Sequence, residues 1–277
     1  QRFRVVAMTH GVLLAAAGLG LSGLIVAPVF AAAPNEQVAR LDPRKVIAQS
    51  EQAVGRNLGN YRLIDSTGAP MSLRDYRGKP LVISLIYTSC SSVCPPTTQH
   101  LMNAVNEAGR VFNPDSFNVL TIGFDARNDT PGRLAQFASI QGIKFKNWRL
   151  ASADPATIEA LLRDLGFSYV AIAGGFDHLT QTTIIDRDGK VYRPVYGDDF
   201  PLPMFIEPLK DVVYGVSNSF SMAGILDRVK FICTVYDPGA GRYRIDYGLA
   251  FGSVLAAFSL LIFGVLLYRE WFRTGHA

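Results

Sequence analysis

Two long apolar runs bracket the chain, and short apolar and polar stretches alternate between them. The runs, 5–33 and 247–267, contain no charged residue. A transmembrane helix needs about 20 consecutive apolar residues, whereas the core of a cleavable signal peptide has about 7–15. The first run therefore predicts an uncleaved anchor, although the small residues before Pro34 would also fit a signal-peptide cleavage site. The second run predicts a C-terminal transmembrane helix.

Basic residues at the two ends predict the orientation of these helices. Arg2 and Arg4 precede the first run, and Arg269 and Arg273 follow the second. Cytoplasmic segments next to membrane helices are enriched in Lys and Arg. We therefore expect both termini in the cytoplasm and residues 35–246 on the outer face of the membrane.

The middle of the chain shows the pattern of alternating strands and helices. Leu81–Ile86 is a continuous apolar run typical of a buried strand, and Thr97–Phe112 has the length and periodicity of a helix. Thr130–Pro131 and Asp154–Pro155 are typical helix starts. The other expected elements are helices at 43–54 and 208–214 and strands at 61–65, 71–73, 117–124, 148–151, 182–185 and 190–196. This order predicts an α/β fold, a thioredoxin-like domain with a central mixed sheet flanked by helices, between two transmembrane helices.

The expected segments follow directly from this pattern. They are an N-terminal transmembrane anchor (1–35), a linker (36–57), the thioredoxin-like domain (58–216), a juxtamembrane segment (217–246), the C-terminal transmembrane helix (247–268) and a cytoplasmic tail (269–277). Hydrophobic residues make up 49% of the 277 residues and charged ones 18%, which fits a membrane protein. The net charge of +4 is mild and partly terminal, so we expect no nucleic-acid partner. Three cysteines are too few for a disulfide framework.

Cys90 and Cys94 carry the clearest chemistry. They lie in a turn between a predicted strand and a predicted helix, where the backbone N–H groups and the helix dipole favour a thiolate. The C-x-x-x-C spacing places the two sulfurs one helical turn apart on the same side. Two thiolates there could chelate a soft ion such as copper or take part in disulfide exchange, whereas zinc would need further ligands. A pair of inert buried thiols is the plainer alternative, and the serines at 89, 91 and 92 argue against it because they predict a turn open to solvent.

A third ligand has to come from elsewhere in the chain. Among the four histidines, His10 lies in the first apolar run and His276 in the C-terminal tail. His100 should point away from the cysteines as a solvated helix residue. His178 lies in a loop that a thioredoxin-like sheet places against the cysteine turn, so it would complete a Cys₂His site suited to copper. Asp177 could orient its ring.

Three blocks of the sequence resemble the Sco/SenC family. They are Tyr87–Pro95, similar to the family's C-x-x-x-C-P, Phe124–Pro131, similar to D-P-x-R-D-T-P, and Asp177–Gly189, similar to D-H followed by a strand and a D-x-D-G turn. Members of this family are thioredoxin-fold copper proteins that serve the assembly of the dinuclear copper site of cytochrome oxidase. The resemblance spans about residues 55–215.

The resemblance implies a copper site and a respiratory partner. Cys90 and Cys94 would be the sulfur ligands and His178 the nitrogen ligand of Cu(I) or Cu(II). The partner would be the copper-bearing subunit of a cytochrome oxidase, or the whole respiratory complex, and the domain would lie on the periplasmic face of a bacterial inner membrane. Two positions depart from the family pattern: no acidic residue lies between the cysteines, and Ala126 replaces a proline. The second apolar run also departs from the family's single anchor.

Three functions remain open from the sequence. The first is a copper chaperone. The second is a thiol–disulfide reductase in which Cys90 or Cys94 reduces the copper-ligand cysteines of the oxidase. The third is an accessory subunit of the oxidase complex. Only the chaperone needs His178. No peroxidatic Pro-x-x-x-Thr-x-x-Cys pattern surrounds Cys90, which argues against a peroxidase.

Two further expectations concern residues around the domain. Cys233 lies between the domain and the second apolar run and is expected to be either an inert packed thiol or a relay thiol. Asp125, Arg127 and Asp129 are expected to hold a loop beside the site through ion pairs.

Overall fold

The structure, a computed structural model, describes residues 40–214, 234–237, 242–245 and 247–274. The predicted first anchor, with His10, lies outside the described residues, and so do Cys233 and His276.

Strands and helices alternate through the middle of the chain as the pattern predicts. The helices are α1 (Pro43–Glu51), α2 (Cys94–Val111), α3 (Pro131–Gln141), α4 (Pro155–Asp164), α5 (Leu202–Tyr214) and α6 (Tyr247–Thr274). The strands are β1 (Arg62–Asp65), β2 (Pro70–Ser72), β3 (Leu81–Ile86), β4 (Asn118–Gly123), β5 (Trp148–Ser152), β6 (Tyr169–Ile172), β7 (Gly175–His178), β8 (Gln181–Ile185), β9 (Val191–Tyr196), β10 (Thr234–Asp237) and β11 (Arg242–Ile245).

The core of the domain is a seven-stranded mixed sheet, which confirms the predicted α/β class. Its strand order is β2-β1-β5-β4-β3-β8-β9. β3 pairs with β4, and β4 with β5, in parallel, and the other four pairs of this sheet are antiparallel. β3 is buried along its whole length because it has strands on both sides and lies in the covered middle of the sheet. The turn after β3 therefore starts from a fixed position.

The helix starts follow the predicted capping signals. The Thr130 side chain accepts the backbone N–H of Arg133, and the Asp154 side chain accepts that of Thr157. Pro208 was expected to start the last helix of the domain, but it lies inside α5. The turn before it contributes the buried side chains of Phe205 and Ile206, and this packing stabilises the longer helix.

The first helix, α1, packs into the domain although it lies in the segment expected to be a linker. Val46 and Ser50 are buried, and the Ser50 hydroxyl donates to Gln181 Oε1 over 2.9 Å. A Cβ at Gly166 would come within 2.8 Å of the Ser50 Cα, so the backbones approach closely there. The folded unit therefore includes α1.

A short hairpin, β6–β7, replaces the loop expected around His178. Tyr169 pairs with His178 across it, and Gly174 turns the chain at a φ of 85°. Glycine adopts this left-handed conformation without a steric penalty. The hairpin forms its own two-stranded sheet, separate from the seven-stranded one.

The C-terminal part contains the β10–β11 hairpin and α6. The Tyr243 hydroxyl on β11 donates to Glu207 of α5 over 2.9 Å, which ties this hairpin to the domain. Large apolar side chains such as Phe251, Leu260 and Trp271 are exposed along α6. Among the described residues, no helix was found that is long and apolar enough to cross a membrane, so the predicted pair of spans is not supported there.

Candidate metal centre

The two cysteines lie on the tight turn that joins β3 to α2. The Cys90 backbone N–H donates to the Tyr87 carbonyl over 3.1 Å, which closes the turn. Cys94 is the first residue of α2, and the prolines that follow it suit a first turn in which backbone N–H groups lack helical partners. The Cys94 N–H donates to the Cys90 sulfur over 3.3 Å. The Cys90 sulfur thus occupies the position of a helix-capping acceptor.

Both thiols are buried, contrary to the expectation of a solvent-open turn. Cys90 is 8% exposed and Cys94 3%. The neighbouring serines at 89, 91 and 92 are exposed, as their polarity predicts. The cysteines are not joined by a disulfide. Cys90 lines a cavity, which gives a partner or an ion a route to its sulfur.

The surroundings of the two thiols give them opposite acidities. Burial raises the pKa of the Cys90 thiol, but hydrogen bonds from the Cys94 backbone and side chain, the Tyr87 hydroxyl and the Val93 backbone outweigh it and lower that pKa to about 7. Burial raises the pKa of the Cys94 thiol to about 12, and the charges of Cys90 and Asp129 act in the same direction. At neutral pH, Cys90 is thus partly a thiolate and Cys94 a thiol.

Alkylation should reveal this asymmetry directly. The Cys90 pKa of about 7 lies below its ordinary value of 9.0, so its iodoacetamide reaction rate should rise with pH to a plateau with a midpoint near pH 7. Cys94 should remain unmodified in the native protein over pH 6–9. Site-resolved mass spectrometry measures both rates, and equal reactivity of the two cysteines would contradict this description.

His178, at the end of β7, shares a cavity with Cys90. The cavity measures about 330 Å³ and is lined by Tyr87, Cys90, Ser92, Val93, Thr180 and the segment 172–178. The His178 ring packs against Phe124 and Phe167, with centroid distances of 5.4 and 5.5 Å. Burial lowers the pKa of His178, so the ring is neutral at pH 7. Its Nδ1 lies 3.3 Å from the Leu179 carbonyl, and donation there would leave the Nε2 lone pair available to a metal.

The three predicted ligands are not assembled into a ready metal cluster. Among the described residues, no group of three or more His, Cys, Asp or Glu side chains is placed to hold an ion. Cys90 and His178 line the cavity, whereas Cys94, the first residue of α2, does not. Their chemistry nevertheless fits copper, because thiolates and a neutral imidazole are soft and borderline donors that copper prefers. Binding through all three would require the Cys94 sulfur to reach this cavity as well.

Asp129 holds the cysteine turn in a way that the sequence did not predict. Its carboxylate is 1% exposed and accepts three hydrogen bonds: from the Thr88 N–H and hydroxyl, both over 2.7 Å, and from the Asp125 N–H over 2.9 Å. These hydrogen bonds take the place of the expected ion pairs, and among the described residues no salt bridge involves Asp125, Arg127 or Asp129. A Cβ at Gly123 would come within 2.5 Å of the Asp129 Cβ, so this carboxylate needs the glycine beside it.

Replacing Asp129 with alanine should destabilise the domain. The change leaves three donors without their acceptor, two of them backbone N–H groups, and each unsatisfied buried donor costs about 1–3 kcal/mol. We expect a loss of about 3 kcal/mol in the free energy of unfolding, or roughly 10 °C in Tm. In the control Asp125→Ala, only a bond from the Asn128 side chain is lost, so Tm should fall by no more than a few degrees. Equal effects would contradict the role given to Asp129.

Two other expectations near the site are corrected by the contacts. Asp177 accepts the Leu41 backbone N–H over 3.1 Å, whereas the hydrogen-bond acceptor beside the His178 ring is the Leu179 carbonyl. His100 is not a solvated helix residue. Its ring lies 2.7 Å from the Phe200 carbonyl and 3.3 Å from Asp199. His100 does not line the cavity that contains Cys90.

Comparisons with known proteins agree with this fold. The SCO1 protein homolog of Bacillus subtilis is 28% identical over 134 residues, which cover 47% of this chain and 68% of that protein. BsSco, a member of the Sco family of cytochrome c oxidase assembly proteins in which a disulfide switch has been identified, shares the fold with a TM-score of 0.52 at 21% identity, over 57% of this chain and 94% of that chain. The thioredoxin-like fold predicted from the sequence is thereby confirmed.

Copper appears in one of the related structures. ScoI of Bradyrhizobium japonicum was solved with copper bound, and it matches with a TM-score of 0.47 at 24% identity, over 56% of this chain and 99% of that chain. The model of the SCO1/SenC family matches residues 49–211, more than half of the sequence. These residues include the β3–α2 turn with both cysteines, the Asp129 carboxylate and the hairpin that carries His178. The chain therefore belongs to the SCO1/SenC family.

Proposed function

We propose that this protein binds copper through Cys90, Cys94 and His178 and delivers it to the dinuclear copper site of a cytochrome oxidase. The observation that carries the proposal is the shared cavity, in which the low-pKa sulfur of Cys90 and the neutral ring of His178 face one space. Copper is the ligand that family membership supports. Copper is the cargo in this proposal, and the protein supplies the sulfur and nitrogen ligands that hold it.

The burial of the site fits transfer rather than storage. Cys90 and His178 line the cavity, whereas Cys94 does not line it and is only 3% exposed. A recipient's ligands could therefore replace His178 and then Cys90 while Cys94 still holds the ion. Such stepwise ligand exchange never leaves copper unbound.

Thiol–disulfide exchange is a second candidate, favoured by the acidity of the two thiols. A thiolate that lines a cavity, paired with a second thiol of high pKa, is an arrangement that can attack a target disulfide and then resolve the mixed disulfide. Cys90, with a pKa of about 7, would attack, and Cys94, with a pKa of about 12, would resolve. The targets would be the copper-ligand cysteines of the oxidase before metal delivery.

A location at the outer face of a bacterial inner membrane is part of the proposal. It is supported by the uncharged runs at 5–33 and 247–267 and by the arginines beyond them. The exposed apolar side chains along α6 also favour an apolar environment for that helix. The two-span arrangement and the docking of an intact oxidase complex stay predictions of the sequence.

Copper titration of the full chain in mild detergent tests the proposal. The reduced protein should take up one Cu(I) per chain in competition with a chromophoric chelator. The double variant Cys90→Ser/Cys94→Ser should take up none at the same chelator concentration. An unmetallated wild-type protein, or a double variant that retains one copper, would rule out the proposed ligands.

A further inference from the structure

A second cavity lies at the edge of the central sheet opposite the cysteine turn. Leu81, the first residue of β3, pairs with Asn118 at the start of β4 and with Ile185 at the end of β8. The segments that flank these three strand ends, together with the end of α5, line a cavity of about 400 Å³. The six residues of β3, about 20 Å of strand, separate this cavity from the cysteine turn. Among the described residues, none lines both cavities, so the proposed copper chemistry makes no use of this one.

Two of the side chains that line this second cavity are cations. Lys79 is exposed and Arg187 is half-buried. None of the salt bridges among the described residues involves either of them. Asp115 lines the cavity as well, and the two cations and this acid together carry one net positive charge. The lining therefore attracts a ligand with a single negative charge.

Arg187 is fixed at the cavity wall and keeps one donor without an acceptor. Its Nη2 donates to the carbonyl of Val213, which also lines the cavity, and its own carbonyl accepts the Gly78 N–H over 2.9 Å. The Nε atom of Arg187 is buried, and among the described residues it has no hydrogen-bond partner. Buried donors are nearly always paired, because an unpaired one is destabilising. An anion in the cavity would supply an acceptor for this guanidinium.

Neutral polar groups complete the lining. The Asn113 Oδ1 accepts the Asp115 N–H over 3.0 Å, which leaves the amide nitrogen of Asn113 for a ligand. The half-buried Ser116 adds a hydroxyl. A guanidinium and an ammonium with neutral donors beside them suit a phosphate group, because its oxygens accept several hydrogen bonds and pair with arginine in a bidentate manner.

We propose that this cavity binds a singly charged phosphate group, with Arg187 and Lys79 as its cationic contacts. A phosphate diester of this charge links the head group of a membrane phospholipid to its glycerol, and inorganic phosphate offers the same chemistry from solution. The site lies at the other edge of the sheet from the cysteines and does not depend on copper binding.

Hydrogen-exchange mass spectrometry of the metal-free full chain in mild non-ionic detergent tests this site. The probes are inorganic phosphate and dihexanoyl phosphatidylglycerol, each titrated separately. A bound phosphate should slow amide exchange in the segments 78–79 and 112–116 and leave the cysteine turn, 87–94, unchanged. Lys79→Gln should weaken the affinity at least about tenfold, the effect of losing one charge-assisted hydrogen bond.

Lys190→Gln is the matched control, because it removes the same charge from an exposed residue that does not line the cavity. Its affinity should stay within about twofold of the wild type. Arg187→Gln should also lose binding, but it removes the bond to Val213 as well, so Lys79→Gln carries the test if Arg187→Gln lowers Tm.

The two probes distinguish the sources of the phosphate. Tighter binding of the lipid assigns the site to a phospholipid head group, equal or tighter binding of the ion assigns it to free phosphate, and either result supports the proposal. No protection by either probe would overturn it. Equal weakening in Lys79→Gln and Lys190→Gln would overturn it too, because that result indicates attraction by net charge alone.

Discussion

Replacing His178 with alanine should weaken Cu(I) binding by at least about 100-fold, since loss of a direct ligand exceeds the 10- to 100-fold cost of removing an outer-shell partner. The dithiol chemistry should survive. The groups that lower the Cys90 pKa are those of Cys94, Tyr87 and Val93, and none of them belongs to His178. The rate of thiol–disulfide exchange with a model disulfide should therefore change by less than about threefold.

The two effects are measured by chelator competition and by reduction of a disulfide peptide. His100→Ala is the matched control: this histidine contacts Phe200 and Asp199, away from the cavity. It should leave copper affinity unchanged. Full copper affinity in His178→Ala would show that the cavity binds the ion without the hairpin, and loss of both activities would point to a folding defect.

Replacing Cys94 with serine should trap a covalent complex with a disulfide target. The Cys90 thiolate attacks one target sulfur, the target disulfide breaks, and the second target sulfur leaves as a thiolate. In the wild type, Cys94 gives up its proton to solvent and attacks the Cys90 sulfur. This attack forms the Cys90–Cys94 disulfide and releases the target as a dithiol. Without Cys94 the mixed disulfide has no internal route to resolution.

Non-reducing electrophoresis with the copper-bearing domain of an oxidase in its disulfide form measures this trapping. We expect the adduct to accumulate at least about tenfold over the wild type at pH 7, where much of Cys90 is thiolate. Cys90→Ser is the control and should form little adduct, because burial raises the Cys94 pKa to about 12. Adducts of equal yield from both variants would contradict the assigned roles.

Local patterns predicted most of the sheet and its helices. The bounds of β3 and the start of α3 agree with the expected ones, because a continuous apolar run and a Thr-Pro start are strong local signals. The β6–β7 hairpin was missed. Its strands have only four residues each, and their side chains are at least partly exposed, so no apolar pattern marks them. The adjacent glycines at 174 and 175 predict a loop instead of a strand.

The residues of the candidate site were predictable from the sequence, but their contacts were not. Spacing and helix position indicated Cys90 and Cys94, and chain order indicated His178. The Tyr87 ring contacts Phe176, 89 positions away, and the Asp129 carboxylate accepts from Thr88, 41 positions away, so the neighbouring residues in the sequence do not determine these partners. For Asp129 a signal did exist. Asp129 is followed by Thr-Pro and lies a few residues after Gly123, which ends a strand. This pattern is compatible with a buried carboxylate acceptor, because only glycine at position 123 leaves room for the aspartate side chain.

X-ray absorption at the copper edge of the Cu(I)-loaded full chain tests the central claim most directly. The account predicts two sulfur scatterers and one nitrogen scatterer in the first shell, with the nitrogen and its imidazole multiple scattering lost in His178→Ala. A first shell without sulfur, or one that His178→Ala leaves unchanged, would contradict it.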